Sequence, residues 1–116
     1  MEAALVDFQQ LRIKHILYKS KVRSVLYGGV FDEAFFSPGG PLALWFKGIG
    51  LDRYGQYPEM QDLFQIHQEI NAASLQLIGI YQRGQIDKAH NDLKLIDHKS
   101  EQFLDILSRL DQKLAS

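Results

Sequence analysis

At 116 residues and 13.3 kDa, with 46% hydrophobic and 23% charged residues, the chain has the composition of one folded domain, spanning 1–116, and not of a disordered tail. A domain of this length buries about two-thirds of the surface its unfolded chain exposes, so it needs neither disulfides nor a structural metal merely to fold. The 13 basic and 14 acidic side chains leave no charge excess for gripping phosphates, and the absence of cysteine removes disulfides, thiolate nucleophiles and thiolate metal ligands together. Nucleic acid is therefore not an expected partner. The stretches without charge, 34–46 and 70–82, are 13 residues each, too short to span a bilayer, and Pro38 and Pro41 break the first. The amino terminus, Met-Glu-Ala-Ala-Leu-Val-Asp, lacks the basic start and apolar run of a secretory signal. A cytoplasmic location without membrane contact is the expectation.

From Leu5 the apolar residues Leu5, Phe8, Leu11, Tyr18, Val22 and Val25, widened by Ile13 and Leu17, recur with a helical period. They predict a long amphipathic helix that ends at Gly28-Gly29, where a left-handed cap is available. One polar residue, His15, stands inside the stripe, four after Leu11 and three before Tyr18.

The periodicity is lost between Val30 and Pro58, where most glycines and all three prolines gather. The apolar content of this connection (Phe31, Phe35, Phe36, Leu42, Trp45, Phe46 among others) is too high for a solvated loop, since at about 25 cal/mol per Å² its exposure would cost several kcal/mol. It is expected to fold over one end of the helices, with a short helix around 42–47. Its aromatics Phe35, Phe36, Trp45 and Phe46 are candidates either for a lid on the core or for a partner surface.

Pro58-Glu59 reads as the first turn of a second long helix, with proline where no amide hydrogen is needed and an acid at the positive end of the dipole. Its inward stripe is Met60, Leu63, Phe64, His67, Ile70, Asn71, Ser74, Leu77, Ile78 and Tyr81, and Gly84 closes it. Asp87 is expected to cap a third long helix with the stripe Ala89, Leu93, Ile96, Ser100, Phe103, Leu107, Leu110 and Leu114. Three long helices and a short one in a glycine- and proline-rich connection predict an all-α fold, an antiparallel four-helix bundle.

Burying an imidazole costs free energy unless it is hydrogen-bonded or coordinated, so His15 and His67, with Asn71 one turn after His67, ask for an explanation. One is a satisfied polar cluster of His15, His67 and Asn71. The other is a metal site between helices.

The segments Lys14-His15-Ile16-Leu17-Tyr18-Lys19, Leu26-Tyr27-Gly28-Gly29, Leu42-Ala43-Leu44-Trp45-Phe46 and Arg53-Tyr54-Gly55-Gln56-Tyr57-Pro58-Glu59-Met60 leading to His67 resemble the chemoreceptor zinc-binding domain of bacterial signalling proteins. The resemblance runs from about Phe8 to Leu110 and implies a four-helix sensor, attached to chemoreceptors or diguanylate cyclases, that binds zinc through one cysteine and three histidines. Carried over, His15 takes the histidine position of the first helix and His67 the first histidine of the H-x-x-x-H pair. The family's cysteine falls on Gly40 and its last histidine on Asn71. Tyr18 stands for a tryptophan and Ala43 for a glycine. Zinc held by His15 and His67 would thus need completion by water, a carboxylate or the Asn71 amide, and its affinity would fall greatly. Oxidant sensing through a zinc-held thiolate is excluded.

Two functional readings follow from the resemblance: a regulatory domain of signal transduction, including chemotaxis, with weak or lost zinc binding, or a metal-free interaction or dimerisation module. A protein partner or signalling output domain is implied by either, and a homodimer is a candidate assembly. An enzyme is not expected, because no nucleophile, paired carboxylates or phosphate loop can be found. His90 and His98 flank the last stripe and are expected at the surface, as is the basic face Arg12, Lys14, Lys19, Lys21 and Arg23.

Overall fold

The computed structural model describes residues 2–115 and is built of helices, with no strand among the described residues. Helix α1 (Glu2–Leu26) contains neither glycine nor proline. It ends where Gly28 adopts φ +100° and the amides of Gly29 and Gly28 donate back to the carbonyls of Ser24 (2.7 Å) and Val25 (3.2 Å). That left-handed turn satisfies two orphan carbonyls and is open to glycine at no steric cost.

The connection holds more helix than the single short one expected. Helix α2 (Pro41–Trp45) runs without interruption into a π-helical turn (Phe46–Gly50) and then α3 (Leu51–Tyr54). The wider π turn brings both Phe46 and Gly50 into the interior. Phe36, Leu42, Trp45 and Phe46 are core residues, so of the aromatics considered for a partner surface only Phe35 keeps partial exposure. The segment covers the flank of α1, with Phe35 and Phe36 against Tyr18 (ring centroids 5.8 and 5.2 Å), and does not simply close one end.

Helix α4 (Pro58–Gln82) starts with proline at its first turn and ends in the same left-handed device, with Gly84 at φ +88° and the amide of Gln85 donating to Ile80 O at 3.2 Å. After this tight turn α5 (Ile86–Ala115) begins two residues earlier than a cap at Asp87 implies. Asp87 therefore lies inside its first turn, where it still faces the positive end of the dipole, and the first accepting carbonyl is that of Gln85.

Contacts across the helices pack α5 against both α1 and α4. Lys113 pairs with Glu59 and Lys99 with Glu69, while Lys19 and Arg23 approach Asp97. The interior between them is filled by Phe8, Leu11, Leu63, Ile70, Ile96, Phe103, Leu107 and Leu110, all essentially removed from solvent. Helix α1 departs from the expected stripe: Leu5, Ile13 and Leu17 are 51%, 66% and 47% exposed. Ile13 stands two residues from both Leu11 and His15, about 200° around the helix, and so points away from the α5 side.

Candidate functional site

The buried stripes of α1, α4 and α5 carry a layer of polar side chains at one level, and the neighbours of each decide what it can do. His15 is 1% exposed and is hydrogen-bonded through Nε2 to Ser100 Oγ at 2.7 Å. Its ring lies flat on Phe103 at 4.2 Å between centroids. Burial, then the charges of Lys19 and of a protonated His67, push its pKa down to about 4. The imidazole is neutral at pH 7 and one of its nitrogens is already used.

His67 is also buried, yet it has a different shell. Its ring stacks on Phe46 (5.2 Å) and meets the edge of Tyr18 (5.9 Å), and burial alone lowers its pKa to about 4. It makes no hydrogen bond to His15 or Asn71 among the described residues. Asn71 instead accepts through Oδ1 from the hydroxyl of Tyr18, which leaves the Asn71 amide hydrogens as donors. Burial raises the Tyr18 pKa, offset in part by the nearby Ser74 hydroxyl. The expected His15, His67 and Asn71 cluster is thus two separate bonds, His15 to Ser100 and Tyr18 to Asn71, because each partner comes from a facing helix at the same height. Ser74 Oγ and Trp45 Nε1 are buried with no hydrogen-bond partner of good geometry. On its outer side His67 lines a half-open cleft of about 410 Å³ together with Tyr18, Asn71, Phe35 and Phe64.

The residues do not fit a four-coordinate zinc ion. No group of three His, Cys, Asp or Glu side chains converges among the described residues. At Gly40 a β-carbon would lie 2.0 Å from the carbonyl oxygen of Phe35, so the backbone itself fills the space a cysteine side chain would leave by. Two neutral imidazoles, one tied to Ser100, are a poor substitute for a set that includes thiolate.

Outside this layer, Asp7 was not singled out in the sequence and His90 departs from its expected surface position. Asp7 is buried and accepts from Tyr54 Oη at 2.6 Å and from Arg53 Nη1 at 2.9 Å, joining α1 to α3. Burial and then the Asp7 carboxylate push the Tyr54 phenol up to about 12. The signal was present, since Asp7 stands four before Leu11 on the buried face. His90 is half-buried rather than exposed: Nε2 donates to the carbonyl of Leu26 and the ring stacks on Tyr27 at 4.1 Å, sealing the end of α1. His98 is exposed as expected, and Lys19 and Arg23 of the basic face pair with Asp97.

Comparison with models of known protein families, with curated proteins and with solved structures finds no significant match. No helix among the described residues is long and apolar enough to cross a membrane.

Proposed function

We propose that this chain is a non-catalytic regulatory module on the four-helix scaffold of the chemoreceptor zinc-binding domain, an antiparallel bundle in which 41–54 supplies the fourth helix. In this reading it acts in the cytoplasm and its zinc binding is weak or lost. The observation that carries the reading is the polar layer: the two histidines that the resemblance assigns to zinc lie at one level of the core, but their partners are Ser100, Phe103, Phe46 and Tyr18. A core that keeps the ligand positions, one hydrogen-bonded to Ser100 and the other packed on aromatic rings, supports descent from a sensor whose metal chemistry has been replaced. The test is zinc competition against a chromophoric chelator, together with fusion of the chain to a diguanylate cyclase catalytic domain. The expected result is zinc affinity no tighter than about 10 μM and a cyclase output that depends on the fused chain without responding to zinc. Nanomolar zinc binding lost in His15→Ala and His67→Ala, or a cyclase indifferent to the fusion, would overturn it.

A second reading, an interaction or dimerisation module, is favoured by the apolar side chains that α1 leaves in solvent, Ile13, Ile16 and Leu17, with Leu5 and Val6 about two to three turns earlier. A second copy of the chain could cover them. Sedimentation at about 100 μM should then show a dimer that Ile16→Glu dissociates, with an unfolding midpoint that rises with concentration in the wild type and not in the variant; a monomer at that concentration would remove this reading.

A further inference from the structure

The cleft beside His67 has the size and lining of a small-molecule site. Its volume of about 410 Å³ falls in the range of ligand pockets, and its walls come from α1, the 35–38 turn, α2, the π turn and α4. Phe35 and Phe64 are only half-buried and Leu75 is 40% exposed, so apolar area that a ligand could cover remains in water. The lining includes one charged side chain, Lys47, and no carboxylate. The Lys47 ammonium donates to the carbonyl of Pro38 at 3.2 Å and, with three hydrogens, keeps donors for a further acceptor. A second cation, Lys21, stands 5.5 Å from the Phe35 ring at the same wall. Deeper in, the Tyr18 hydroxyl occupies Asn71 Oδ1 and so directs the free hydrogens of that amide elsewhere. Burial keeps His67 neutral, so it adds an aromatic surface and no charge at pH 7.

We propose that this cleft binds a small aromatic monocarboxylate, its ring against Phe35, Phe64 and His67 and its carboxylate met by Lys47 and the Asn71 amide. The apolar walls select a compact ring, and Lys47, with Lys21 near the same wall and no carboxylate in the lining, selects a negative head. Binding stands on the cleft alone; that the ligand is the signal of the module rests on the regulatory reading above.

Phenylacetate, its neutral analogue phenylacetamide and acetate are the probes, titrated into the ¹⁵N-labelled full chain and followed by amide shifts. Phenylacetate should bind with a Kd of about 1 mM or tighter and move amides in 35–47 and 64–75. Acetate, without the ring, should bind far more weakly. Lys47→Met should weaken phenylacetate by about tenfold and leave phenylacetamide unchanged, since it removes the charge-assisted contact and keeps the stem. Ala72→Trp, at the exposed mouth, should block both. Absence of shifts, shifts confined to another surface, acetate binding as well as phenylacetate, or indifference to Lys47→Met would each overturn the proposal. Binding that behaves as expected with a cyclase fusion that ignores phenylacetate would uphold the site and sink only its role as the signal.

Discussion

The two core histidines divide the molecule into a closed region and an open one. Around His15, α1 and α5 meet with Phe103 flat against the ring and Ser100 on its nitrogen. Around His67, the covering element is the short helical run from α2 to α3, and the ring has packing partners on one side and the cleft on the other. Equivalent residues on equivalent stripes therefore have different prospects. His15, a polar side chain between two long helices, is matched by a residue of the facing helix. One under a short, irregular cover is left beside space that a ligand can fill.

The sharpest way to break this comparison is to empty the closed region. Phe103→Ala removes a ring with no solvent exposure that supports His15 and contacts Phe46, and should cost about 3–5 kcal/mol in urea denaturation. A loss under about 1 kcal/mol would mean that this region is not tightly packed.

The next effect is on pH. Both histidines titrate near 6.5 when unfolded and near 4 when folded, so between those values the unfolded chain holds more protons and stability falls as pH drops. The stabilisation is fully present above about pH 7 and is lost on descent toward pH 4, by roughly 3 kcal/mol per histidine at most. Urea midpoints from pH 7.5 to 4.5 should fall steadily in the wild type and less steeply in His15→Leu. A flat profile in both would show that the imidazoles are not shielded from solvent.

Smaller changes sharpen the contrast between the two regions. Ser100→Ala leaves His15 Nε2 buried without its partner and should cost about 1–2 kcal/mol. Ala72→Ser, an exposed change at the mouth of the cleft, should cost less than about 0.5 kcal/mol. Equal losses would erase the distinction between a closed and an open region. The smallest expected effect is electrostatic. Lys19→Met should move the His15 titration upward in an imidazole NMR titration and leave that of His67 in place, because the Lys19 charge acts on His15 alone. Parallel movement of both would show that they share one electrostatic environment.

Much of the fold was legible in local pattern. Helical spacing located the three long helices, and Gly28 and Gly84 marked two ends, because a positive φ needs glycine whatever the tertiary context. The buried residues of α4 and α5 follow the counted stripes from Met60 to Ile78 and from Ala89 to Leu110. Helix α1 departed from its stripe because it is covered over a narrower arc, and the width of that arc belongs to its neighbours. The irregular run Phe46–Gly50 was invisible as a π turn, since no periodicity marks one.

Sequence alone determined that the chain is helical, where two of its long helices end, and that two imidazoles with Asn71 lie on core faces, since each of these depends on residues within a few turns of one another. Tertiary structure decided which groups the imidazoles meet, that the Phe35 carbonyl fills the space beside Gly40, that Asp7 is held by Tyr54 and Arg53, and that a cleft opens beside His67. Those contacts join residues up to 85 positions apart. Their geometry depends on how three long helices and a short cover settle together, and a hydrogen bond that forms or fails over a few tenths of an ångström is set only there.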